Sequence, residues 1–188
     1  MAFGIDDALT TAAAGISLTD TIVEIIKRYH KKDLDTDFEL LLEEVRVSAI
    51  KKIDEADLAL MQFERMLLDR NINIGRRLSD VIAATPFWNA VEQRRLSQIR
   101  IRFNEFADSI YSAGDDIAAL ARCRHDTKEI GISVVESTKE KHRLHEELLH
   151  AKSLREAIEL LRSQLAKYKA ALLDSTRRPS GPGRSVTG

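Results

Sequence analysis

The chain has 188 residues, enough for one ordinary domain and short for two. With 44% hydrophobic and 31% charged residues it is neither collagenous nor disordered throughout, and 3 prolines and 8 glycines are too few for the turns of an all-β sandwich or barrel. Its single cysteine excludes an internal disulfide framework and a multi-cysteine zinc site, and a net charge of −1 exerts no overall pull on nucleic acid.

The first element expected is a helix from about Asp6 to Lys31. Ile5, Leu9, Ala12, Ile16, Val23 and Ile26 step by three, four or seven and share one face. Asp6 and Asp7 stand where a helix N-terminus favours negative charge, and Lys27, Arg28, Lys31 and Lys32 where a C-terminus favours positive charge. The stretch Ala12-Ala13-Ala14-Gly15-Ile16-Ser17-Leu18 is small and uncharged nearly all round, as in helices that are buried or membrane-associated. Filling a groove between longer helices is the preferred reading. The alternative is insertion into a bilayer or an oligomer, with Phe3, Ile5, Leu9, Ile16, Leu18, Ile22, Val23 and Ile26 as contact residues. The uncharged run from Ala8 to Thr19 is 12 residues long, against the roughly 20 a spanning helix needs. Met1-Ala2-Phe3-Gly4-Ile5, followed by this Ala-rich helix, resembles the start of HeLo-type four-helix domains over about 25 of the 188 residues. That resemblance implies a first helix that acts on membranes.

A second helix follows the capping cluster Asp35-Thr36-Asp37. Phe38, Leu42, Val45, Ala49, Ile53, Ala56, Leu60, Phe63 and Leu67 form a stripe at steps of three and four, holding to about Asp69. Asn71-Ile72-Asn73-Ile74-Gly75 reads as a break with Gly75 as the C′ residue, before a short helix from Arg76 to Ala84. Thr85 as N-cap and Pro86 in the first helical position start a third helix. It runs to about Arg122 along Leu96, Ile99, Phe103, Phe106, Ile110, Ala113, Ile117 and Leu120.

A fourth helix is expected from Asp126 or Gly131 to about Leu173, with Ala151, Leu154, Ile158, Leu161, Leu165, Tyr168 and Leu172 in the same rhythm. Counted from Ser133 it has 41 residues, or roughly 60 Å. Residues 174–188 hold one apolar side chain, Val186, and are expected to be disordered. The fold expected is therefore all-α: an elongated bundle over residues 1–173 of three long, nearly antiparallel helices plus a shorter apolar N-terminal helix. Packing should be coiled-coil-like, with a disordered C-terminal tail.

Charge is unevenly spread. Asp33 to Glu64 holds ten acids and three bases, whereas Arg70 to Arg102 holds seven arginines against Asp80 and Glu92. Side-by-side packing of the two blocks accounts for both and is preferred. An anionic partner at Arg76, Arg77, Arg94, Arg95, Arg100 and Arg102 is the alternative, and nucleic acid is not expected.

Chemistry-bearing motifs are few. Glu147 and His150 form one Glu-x-x-His pair in a stretch that also holds His142 and His145. A four-helix di-iron site needs two such pairs, so no metal is expected. Arg122-Cys123-Arg124-His125 has bases that lower a thiol pKa, but no oriented base or oxyanion site beside it. Phosphate-loop, dinucleotide, metalloprotease and hydrolase-elbow patterns are absent from the sequence. The expectation is no enzyme, no catalytic residue and no cofactor. Phe87 and Trp88 are read either as an end-cap of the core, which is preferred, or as exposed interface aromatics.

The function expected is that of a non-catalytic oligomerising scaffold or adaptor, partnered by itself or by another helical protein. The alternative is a membrane-active effector that uses its N-terminal helix. Asp6 and Asp7, in place of the basic start of a secretory signal, and a lone cysteine point to the cytoplasm, with peripheral membrane association as the alternative.

Overall fold

The computed structural model describes residues 38–122, 143 and 145–176. Regular structure among them is all helical: α1 (Phe38–Asp69), α2 (Leu78–Ala84), α3 (Ala90–Arg122) and α4 (Leu154–Thr176), with helical turns at 145–150. At 32 and 33 residues, α1 and α3 each extend about 50 Å. The expected N-terminal helix, the first part of the expected fourth helix and residues 177–188 lie outside the described residues.

Three boundaries differ from the sequence expectation. At the end of α1 the left-handed residue is Asn71 (φ 55°), not Gly75. The Ile72 N–H donates to Leu67 O at 2.9 Å and the Asn71 N–H to Leu68 O at 2.9 Å. These are the two bonds of a Schellman motif, and Leu67 and Ile72 supply its buried apolar contact. Asparagine tolerates the left-handed region better than other side-chain-bearing residues, so the stop falls four residues before the glycine.

The second difference is at α3. Thr85 caps the C-terminus of α2 instead, its N–H donating to Ile82 O at 3.1 Å and its hydroxyl to Val81 O at 2.9 Å. Pro86 to Asn89 form a turn closed by the Asn89 N–H donating to Pro86 O at 2.9 Å. Asn89 is the N-cap of α3, with Oδ1 accepting from the Glu92 N–H at 3.3 Å. Asn-x-x-Glu is a helix-start signature in its own right, and here it prevails over Thr-Pro. The Gln93 side chain donates to Thr85 O at 2.7 Å and pins the turn against α3.

The third difference is topological. The expected fourth helix breaks at Ala151–Ser153 and the chain reverses. Ser153 Oγ accepts from the Glu156 N–H at 3.1 Å, while Glu156 Oε2 accepts from the Lys152 N–H at 2.6 Å. This is a capping box with the acid reaching one residue further back. Leu154 and Arg155 N–H groups donate to Arg76 O and Ile74 O, both at 3.0 Å, so the loop after α1 supplies acceptors for the first turn of α4. His145 lies against Tyr111, while Leu148 shares a cleft with Arg100 and Phe103. The turns at 145–150 therefore run antiparallel to α3, and α4 runs back parallel to it.

All three stripes converge on one core. From Leu42 onward the expected α1 positions are buried, as are all eight on α3, and on α4 only Tyr168 is half-buried. Phe63 stacks on Phe103 with ring centroids 5.6 Å apart. Arg46 is buried and its guanidinium donates to Leu120 O, in the last turn of α3, at 3.3 Å and 3.4 Å. These contacts set α1 antiparallel to α3. Gly114 provides the space for the Tyr168 hydroxyl, which a Cβ at that position would strike. α1 and α3 each pack more extensively on α4 than on one another.

The acidic α1 does pack beside α3, which carries part of the arginine block, but among the described residues its ion pairs to another helix go to α4. Arg162 donates to both carboxylate oxygens of Asp57 at 2.6 Å and 3.2 Å, and Lys169 to those of Asp54 at 2.6 Å and 2.8 Å. Arg155 lies 3.9 Å from Glu64. The hydrogen bond to Asp57 holds the Arg162 guanidinium above its ordinary pKa, so the cation persists at every accessible pH. Each pair is partly solvated and worth at most about 1 kcal/mol, enough to favour this register without dominating stability.

Candidate functional site

The residues singled out for chemistry do not come together. No group of three or more histidine, cysteine, aspartate or glutamate side chains able to hold a metal ion occurs among the described residues. His145 and His150 are exposed, Glu147 pairs with Arg143 at 3.2 Å, and His142 and Cys123 lie outside the described residues. Arg77 donates from Nε to Ala151 O at 2.8 Å and from Nη2 to His150 O at 3.5 Å, placing a cation at the C-terminal end of the turns at 145–150. A shallow cleft of about 180 Å³ opens beside it, lined by Arg77, Arg100, Phe103, Asn104, Leu148 and Leu154 among others, with no acid or histidine in its wall.

The one strongly perturbed group among the described residues is structural. Tyr111 is buried and its hydroxyl has no hydrogen-bond partner among the described residues. Burial, then Tyr168, Asp108 and Glu147, pushes its pKa up. Its ordinary value is about 10, and the fold holds the proton more tightly than the unfolded chain does. This contribution is complete below about pH 10 and is lost as pH rises above it. Tyr111→Phe is expected to flatten that alkaline loss in denaturant titrations above pH 10. Because it removes an unpartnered hydroxyl, it should leave neutral-pH stability unchanged or raise it by up to about 1 kcal/mol.

The surface is more informative than the interior. Phe87 and Trp88 are 80% and 76% exposed, so they do not close the end of the core. They are the two central residues of the Pro86–Asn89 turn, whose side chains project from the chain, and their rings meet edge-on at 5.2 Å. Val91, one turn on, is 81% exposed. Of the arginine block, the side chains of Arg70, Arg76, Arg94 and Arg100 make no ion pair among the described residues, while Arg95 pairs with Glu92 and Arg102 with Glu105.

A second surface lies on α1. Leu40, Val47, Met61 and Leu68 are all exposed on α1 and stand seven or fourteen residues apart, with Asp54 at the intervening step and exposed Leu58 beside them. At 100° per residue they lie on the side of α1 opposite its core stripe. The buried stripe, with more and closer apolar positions, masks this second one in a periodicity search.

Phe3, Ile5, Leu9, Ile16, Leu18, Ile22, Val23 and Ile26 lie outside the described residues. No helix among the described residues is long and apolar enough to cross a membrane. Comparison with known proteins finds no matching family model, no similar curated protein and no similar solved structure.

Proposed function

We propose that this chain is a non-catalytic helical-bundle protein that acts through helix–helix contacts as a self-associating scaffold, with the outer face of α1 as its contact surface. The observation that supports this reading is the exposed seven-residue repeat of Leu40, Val47, Met61 and Leu68. One apolar stripe is needed to build the bundle, and α1 carries two. A seven-residue repeat suits a long partner helix wound left-handedly against it. An antiparallel pairing of two copies can place Val47 against Leu58 of the second copy. The two-fold axis doubles each contact.

Light scattering on the full chain is expected to give a dimer or larger assembly. Val47→Lys combined with Leu58→Lys should give a monomer with the melting temperature of the wild type, because neither side chain contributes to the core. A wild-type chain that stays monomeric at its highest soluble concentration overturns the reading.

A further inference from the structure

We infer that the Pro86–Asn89 turn and the first turn of α3 form a peripheral anchor for an anionic lipid surface. Phe87, Trp88 and Val91 enter the boundary between headgroups and acyl chains, and Arg94 and Arg95 meet lipid phosphates. Exposure is the first support. These are the three most exposed large hydrophobic side chains among the described residues, and they fall within five positions. Solvent-facing aromatics of this kind are costly to leave in water and are characteristic of sites that meet an apolar–polar boundary.

Shape is the second. The aromatics stand at the two central positions of a tight turn, whose side chains project from the chain. The turn also projects: Leu154, the start of α4, lines the same cleft as Phe103. The 13 residues of α3 before Phe103 therefore run about 20 Å past the end of α4. Among the described residues, α2 and the end of α1 flank them. A fluid interface accepts a protruding wedge that a rigid protein surface accepts only with a matching pocket.

Charge is the third. Arg94 and Arg95 follow Val91 by three and four residues and share its helix face. Arg94 makes no ion pair among the described residues, while Arg95 lies 3.6 Å from Glu92, the one acid of the turn. From Arg70 to Arg102 seven arginines face two acids, and α1's carboxylates at Asp54, Asp57 and Glu64 are occupied by α4. Apolar side chains with the unpaired Arg94 and the solvent-facing Arg95 beside them match a negatively charged leaflet, where hydrophobic and electrostatic terms add. This anchor is independent of the α1 contact surface.

Trp88 is the only tryptophan in the chain, so its fluorescence reports on this site alone. With the full chain, phosphatidylserine-containing vesicles are expected to shift Trp88 emission to the blue. Brominated acyl chains should quench it and added salt should reverse the shift. Pure phosphatidylcholine vesicles should do neither. Arg94→Glu with Arg95→Glu should weaken vesicle binding at least tenfold with an unchanged circular dichroism spectrum, as should Phe87→Ser. Vesicle binding without a change at Trp88 would overturn the proposal by placing the contact elsewhere in the chain. A blue shift that follows protein concentration in the absence of vesicles would overturn it in favour of a protein–protein contact. Emission unmoved by any vesicle would also overturn it.

Discussion

Ile158→Asp is expected to abolish the folded state. Ile158 is 1% exposed, on the face of α4 that packs between α1 and α3. The substitution removes a branched apolar side chain from the common core and puts a carboxylate there with no cation arranged to receive it. Lost burial and the cost of an unpaired buried charge add to more than about 4 kcal/mol, a large share of the 5–15 kcal/mol that stabilises a domain. Circular dichroism should show loss of the cooperative melt. Ile158→Val serves as the control and should cost only about 1 kcal/mol. A variant with aspartate at 158 that melts like the wild type would contradict the placement of α4 at the centre of the packing.

Phe63→Ala is expected to have the next largest effect, a loss of about 3–5 kcal/mol measured by denaturant unfolding. Phe63 is fully buried and stacked on Phe103, at the level where α1 and α3 cross from opposite directions. Removing the ring leaves Phe103 facing a void. Backbones held by long helices on both sides have little freedom to collapse into it, so the cost should lie toward the upper end of the range. Phe63→Leu, which refills most of the volume, should recover over half of the loss.

The core was legible from the sequence because three- and four-residue spacing is a direct image of which side of a helix faces inward. The stripes of α1 from Leu42, of α3 from Leu96 and of α4 from Leu154 are the buried stripes of the structure. The reversal at Ala151–Ser153 is hidden from that spacing, although Ser153-Leu154-Arg155-Glu156 carries a capping signature. Ala151 is itself buried beside Leu154, so the apolar rhythm passes through the turn in phase. A pattern that asks only which residues face the core has no reason to break there.

The ion-pair partners of α1 are hidden in the sequence for a related reason. Net charge along the chain says which helices attract, while the neighbours are set by topology. Arg155, Arg162 and Lys169, at seven-residue intervals, were closer matches to α1 than the denser arginine block. The surface aromatics were found by residue type, but their exposure depended on whether Thr85 or Asn89 began α3. Two local capping signals competed within five residues, and sequence alone does not rank them.

The central position of α4 has a consequence for how the chain is made. The ion pairs that join α1 to α4 span 105 and 115 positions in sequence. Contacts between such distant segments close large loops and come late in folding. During synthesis, α1 and α3 leave the ribosome before α4, so the faces they turn to it are not covered by it until Leu172 has emerged. Until then each nascent chain presents long apolar stripes to its neighbours on the same message, where ordered assembly and unwanted aggregation compete for one surface.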